Sequence, residues 1–183
     1  MITVETNFYT TTEVKRSKFL THIVPISQYK GLQDKLKKEH PKANHVVYAL
    51  RYLNEFNQIV ENSSDDGEPK GSAGTPALNV LRGKELIDCA VFIVRYFGGI
   101  KLGVGGMARA YTLAVKDVLE EAKLIEYEKS EIYSFTSSYS DIEKILYRLK
   151  RLGITEIERD FNTSDVSWKI KGSQKKILDF QDT

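Results

Sequence analysis

Two short stretches of this chain hold the residue types that do chemistry. The first, "SSDDGEPKGSAGTP" at 63–76, sets Asp65, Asp66, Gly67, Glu68 and Pro69 in a row. Three carboxylates this close can brace a loop by accepting hydrogen bonds from arginine or backbone amides, hold a magnesium ion, or simply make turns. The second, "RYFGGIKLGVGGMAR" at 95–109, places Gly98, Gly99, Gly103, Gly105 and Gly106 between Arg95 and Arg109, with Lys101 among them. Glycines at this density ahead of a helix offer backbone N–H groups and a positive helix end to an anion. Tight turns and close helix–strand packing account for some of them, but not for a run flanked by Arg95 and Lys101.

The familiar nucleotide motifs do not fit. Gly98 and Gly103 have P-loop spacing, but Val104 and Gly105 stand where Lys and Ser/Thr are needed. "GVGGMA" at 103–108 satisfies the loose G-x-G-x-x-A form, yet the preceding strand ends several residues earlier and no clear ribose-binding acid follows. His22, His40 and His45 lie on different elements without ligand spacing, and Cys89 stands alone in "CAVFIV", where a thiol behaves as a small hydrophobe. No catalytic residue, metal ligand or cofactor is assigned from the sequence.

Periodicity places the elements that must hold these stretches. "SKFLTHIVPI" (17–26) reads as a strand, followed by a helix opened by Ser27, with Tyr29, Leu32 and Leu36 on one face and Pro41 as its stop. "NHVVYALRYL" and "FNQIVENS" read as a strand pair leading into the acidic loop. Thr75 and Pro76 suit the N-cap and first position of a short helix closed by Gly83. "IDCAVFIVRYFGG" has the two-sided apolar character of a central strand, and a long helix stripe starts at Met107 after the glycine loop. Tyr111, near that start, is placed to show its hydroxyl. A boundary falls near Ser130, dividing 1–129 from 130–183. The second part reads β-α-β-β-α, a split β-α-β unit cut short of its last strand.

Charge is segregated along the chain. Residues 10–51 carry nine Lys/Arg against three acids, 52–68 five acids and no base, and 69–109 six bases against two acids. This describes either solvated faces of separate elements or a functional basic surface. The N-terminal residues lack the basic start and apolar run of a signal peptide, and no apolar stretch approaches the roughly 20 residues of a membrane span. The chain reads as soluble and cytoplasmic, with no membrane partner.

"SDDGEPKGSAGTP" (64–76) followed by "VRYFGGIKLGVGG" (94–106) resembles the paired signature of the YigZ/IMPACT family of small cytosolic proteins, and "KRSKF" (15–19) and "ANHVVYA" (43–49) fit the same pattern. The resemblance implies an α+β fold: a first domain of the type named for the second domain of ribosomal protein S-five, then a ferredoxin-like domain similar to the C-terminal domain of elongation factor G. It also implies relatives in eukaryotes that regulate translation initiation by binding an activator of an initiation-factor kinase. They use an additional N-terminal domain, which this sequence is read as lacking. The expected function is therefore a nucleic-acid or ribosome-associated regulator of translation, with RNA or the ribosome as partner and a protein partner in translation control as a further candidate. The alternative is a magnesium-dependent phosphoryl-transfer or hydrolytic enzyme, with Asp65 and Asp66 on the metal and His45 or Glu68 as base. In the binding reading, Asp65, Asp66 and Glu68 brace the loop by accepting from Arg95 and the glycine-loop amides, with Asp66 the expected partner of Arg95. The amides, Arg95, Lys101 and Arg109 then face outward, beside Tyr96, Phe97 or Tyr111 for base stacking.

Overall fold

The structure is a computed structural model and describes residues 1–182. The chain divides into two compact units, the first ending at Tyr127 and the second beginning at Glu128. In the first unit, β1 (Ile2–Val4), β2 (Phe8–Val14) and β3 (Ser17–Pro25) precede a short 3-10 turn and α1 (Leu32–Glu39). Then come β4 (His45–Leu53), β5 (Ile59–Ser64), α2 (Gly74–Gly83), β6 (Cys89–Tyr96), α3 (Gly103–Glu121) and β7 (Leu124–Glu126).

Five strands form an antiparallel sheet in the order β2-β3-β6-β4-β5, which puts the most apolar strand, β6, at its centre. Strand alternation then sorts the side chains into two layers. Phe19, Ile23, Val47, Ala49, Val91 and Ile93 pack against α2 and α3 on one face. Val24, Val46, Leu50, Ala90, Phe92 and Val94 pack around Leu36 of α1 on the other. Each fully buried Val, Leu, Ile or Phe among them contributes about 1.5–3 kcal/mol. Cys89 belongs to the first layer, and burial pushes its thiol pKa up to about 12, which leaves it a packing group.

Three helix starts differ from the sequence expectation, each for a local reason. Gly31 adopts a left-handed φ of 74°, so the segment after Ser27 makes a 3-10 turn and α1 begins only at Leu32. Helix α2 begins at Gly74, ahead of Thr75 and Pro76, because the Asp65 carboxylate accepts from the Ala73 and Gly74 amides and supplies the cap from a distance. Helix α3 begins at Gly103, so Gly103, Gly105 and Gly106 form its first turn and not a loop before it. Strand β2 and the small β1–β7 pair were not anticipated. The first is threonine-rich with weak apolar contrast, and the others have three residues each, too few for a period.

The second unit holds β8 (Ser130–Ser137), α4 (Ile142–Arg151), β9 (Glu156–Phe161), β10 (Val166–Ser173) and α5 (Gln174–Gln181). Its antiparallel sheet has the order β8-β10-β9. Leu149, Ile154, Trp168, Ile170, Ile177 and Phe180 make its core, and the Ser173 hydroxyl caps α5 at Lys176. No described helix is long and apolar enough to cross a membrane.

On the α1 side of the sheet His22 stacks on Tyr9, and its buried Nε2 has no hydrogen-bond partner. Burial lowers its pKa below the ordinary 6.5, and neighbouring His40 adds to the effect. The unfolded chain therefore takes up this proton at higher pH than the folded one. Stability should fall as pH drops below about 6.5, levelling only once folded His22 is protonated too. Thermal unfolding of wild type and His22→Gln across pH 5 to 7 checks this: the variant should show the shallower slope, and equal slopes would refute the assignment.

Candidate functional site

The acidic loop and the end of β6 meet around one buried ion pair. The register sets Phe19, Arg95 and His45 side by side on β3, β6 and β4, and the alternation that buries Val91 and Ile93 beneath α2 and α3 turns Arg95 to that same face. There its Nη1 donates to Glu68 Oε1 at 2.5 Å, with the two side chains only 6% and 3% exposed. The Tyr111 hydroxyl donates to the same oxygen at 2.8 Å, and His45 Nε2 lies 3.6 Å from Oε2. Arg95 also reaches Met107 Sδ at 3.4 Å and Ser17 Oγ at 3.4 Å, and its guanidinium lies against the Phe19 and Phe97 rings. Burial, reinforced by the Glu68 charge, pushes the Tyr111 phenol pKa well above its usual range, so it serves as a neutral donor.

Each remaining acid of the loop has its own internal task. Asp65 accepts from the amides of Gly71, Ala73 and Gly74, closing the loop and capping α2. Asp66 takes a left-handed φ of 43° and Gly67 one of 87°. Through its carboxylate Asp66 accepts from Lys37 Nζ at 2.6 Å and the Val46 amide at 2.7 Å, and its carbonyl accepts from His45 Nδ1. Asp66 is thus not the partner of Arg95; Glu68 is. The glycine-loop amides do not reach these carboxylates either, because the Gly98 N–H donates to Ser17 Oγ. A magnesium ion on Asp65 and Asp66 would compete with these bonds, and no group of three or more His, Cys, Asp or Glu residues among those described is arranged to hold a metal.

The groups expected to face outward therefore divide. Arg95 is 5% exposed and Tyr111 is buried, so neither meets solvent as the sequence reading required. Tyr96 lies on the α1 side with its hydroxyl bound to His40 Nδ1 at 2.7 Å. Gly98 packs on the β2–β3 turn, where a Cβ would sit 2.1 Å from the Arg16 carbonyl carbon. What remains at the surface is Phe97, Gly99, Lys101, Gly103, Gly105 and Arg109, with Gly106 half-buried. Lys101 and Arg109 have no ion pair or side-chain hydrogen bond among the described residues, and α3 starts with no side-chain cap.

Ser17, Met107 and Lys37 hold this centre together and were missed. Alternation along β3 and β6 would have placed Ser17 and Arg95 on one face; Lys37 has no such signal, since its partner is 29 residues away.

Replacing Glu68 with Ala strands the Arg95 charge in the interior and should cost about 3–5 kcal/mol. Asp66→Ala removes an exposed bridge and one amide bond and should cost about 1–2 kcal/mol. Denaturant titration separates the two, and equal losses would contradict the central place of the Glu68–Arg95 pair.

The Impact N-terminal domain model matches residues 15–119. The IMPACT family member YvyE of Bacillus subtilis is 36% identical over 140 residues, covering 75% of this chain and 64% of that protein. An IMPACT family member of Haemophilus influenzae is 41% identical over 122 residues, covering 63% and 56%. The chain thus aligns with less than two thirds of either relative's length. A crystal structure described as that of an hypothetical protein superposes with a TM-score of 0.70 at 26% identity, covering 98% of this chain and 88% of the other. The stretch from the Lys15–Arg16 turn through Leu119 of α3, which encloses the whole Glu68–Arg95 centre, is the stretch the family model matches, and the chain belongs to the IMPACT family.

Proposed function

We propose that the rim running from Phe97 through Lys101 to the first turns of α3 binds single-stranded RNA, free or within the ribosome, and that the protein acts by binding in the control of translation. One observation carries the reading: every acid of the adjacent loop is consumed internally, while Lys101 and Arg109 are left unpaired. The field at the rim is therefore positive although the sequence beside it is acidic. Phe97 is 46% exposed next to these cations and offers a stacking face for a base, and the uncapped N–H groups of α3 suit a phosphate. The translation role is drawn from the family resemblance, as is the reading of the second unit as ferredoxin-like. The alternative, magnesium-dependent hydrolysis, has weaker support, since the carboxylates it needs from Asp65 and Asp66 are occupied by amides and Lys37.

A filter-binding titration with a single-stranded oligoribonucleotide at several salt concentrations tests this. Lys101→Ala should weaken binding for unrelated sequences and lower the log–log salt slope by about 0.7, one phosphate contact on a single strand. Phe97→Ala should cost about 1–3 kcal/mol of affinity with the salt slope unchanged. Absence of binding by wild type at low salt would overturn the reading.

A further inference from the structure

The turn that Gly98 packs against has an unusual composition. Val14 and Ser17 pair across β2 and β3, so Lys15 and Arg16 alone form the hairpin loop. Both take positive φ, 46° and 65°. Such two-residue loops favour Asn-Gly or Asp-Gly, because a side chain strains the left-handed backbone. Lys15 and Arg16 are the only two adjacent non-glycine residues with positive φ among those described; of the single ones, Asn57, Asp66 and Asp88 are of the types that tolerate it through short polar side chains, and Glu85 at 53° is not. Nothing about the hairpin itself calls for two long cations.

The strained turn is also held firmly. With no Cβ, Gly98 lets its backbone close onto Arg16 and Ser17, and Ser17 Oγ accepts from both the Gly98 amide and Arg95 Nη2. The turn is thereby tied to the Glu68–Arg95 centre and lies directly beside the Phe97–Lys101 rim. Lys15 and Arg16 are both exposed, and neither has an ion pair or side-chain hydrogen bond among the described residues. Some cations of the basic segments are engaged, Lys35 by Glu39, Lys37 by Asp66, and Arg51 and Arg82 by Glu61, whereas others such as Lys18 are as free as the turn; what sets Lys15 and Arg16 apart is their backbone.

We infer that the Lys15–Arg16 turn is the second arm of the RNA-binding rim, kept in a strained conformation so that two cations stand beside Gly98 and Gly99 to contact two phosphates of the bound strand. This rests on the RNA-binding reading given above and extends it to a different strand pair. Strain retained at a position where a relaxed sequence is available points to a selected function.

The test is the double variant K15N/R16G, which relaxes the turn and removes its charge, beside K35Q/K38Q. The latter removes the same charge from α1 on the opposite face of the sheet. K15N/R16G should raise the melting temperature by roughly 3–6 °C. It should weaken binding of a single-stranded oligouridylate by roughly 10- to 30-fold near physiological salt, and lower the salt slope by about 1.4. K35Q/K38Q should leave affinity nearly unchanged. If wild type binds RNA but K15N/R16G binds as well, or if both doubles lose equally, the turn has no special role and only this inference fails. A lower melting temperature in K15N/R16G would refute the strain argument. If wild type binds no RNA, or binds poly-glutamate in its place, the RNA-binding reading falls and this inference with it.

Discussion

Everything around the site depends on one buried ion pair, Glu68 with Arg95. Taking two charges out of water costs several kcal/mol each, and the pair survives because the remaining polar atoms are largely engaged. Tyr111 donates to the carboxylate, and Ser17 and Met107 receive the guanidinium. The contacts come from the acidic loop, β3, β6 and α3, with His45 of β4 at the edge. A pair of this kind adds little net stability over an apolar substitute, but breaking half of it is severe. Its effect is to fix where the loop lies on the sheet, and through Ser17 where Gly98 and the β2–β3 turn lie.

That constraint sets the electrostatics outside. Asp65 and Asp66 are held by amides and by Lys37, so an acidic sequence presents little free negative charge. Among the cations left without partners, Lys15 and Arg16 belong to the β2–β3 turn and Lys101 and Arg109 to the segment that opens α3. Acids turned inward and bases left outward are what recognition of a phosphate backbone requires.

Much of the architecture was legible because it follows from period. The two-sided apolar run of β6 marked the centre of the sheet, and the stripe from Met107 marked α3. The helix starts were misjudged where capping is remote: Asp65 reaches Gly74 across the loop, and no local pattern announces a cap nine residues away. The acidic loop reaches Arg95 through Glu68, where the sequence reading chose Asp66. The left-handed backbone at Asp66 and Gly67 separates the two acids, turning Asp66 to Lys37 and Val46 and the longer Glu68 to Arg95. Arg95 was expected at the surface because a cation at a strand end usually is. The row it shares with Phe19 and His45 depends on strand register, which one sequence does not display.

The measurement that bears most directly on this division of labour is a titration of the ¹⁵N-labelled protein with a single-stranded oligoribonucleotide, followed by amide chemical shifts. Expected are progressive shifts at Lys15, Arg16, Gly99, Lys101 and Gly105, with the amides of Gly71, Ala73 and Gly74, which Asp65 holds, unmoved. Shifts confined to the acidic loop, or a response to magnesium centred on Asp65 and Asp66 with none to RNA, would contradict it.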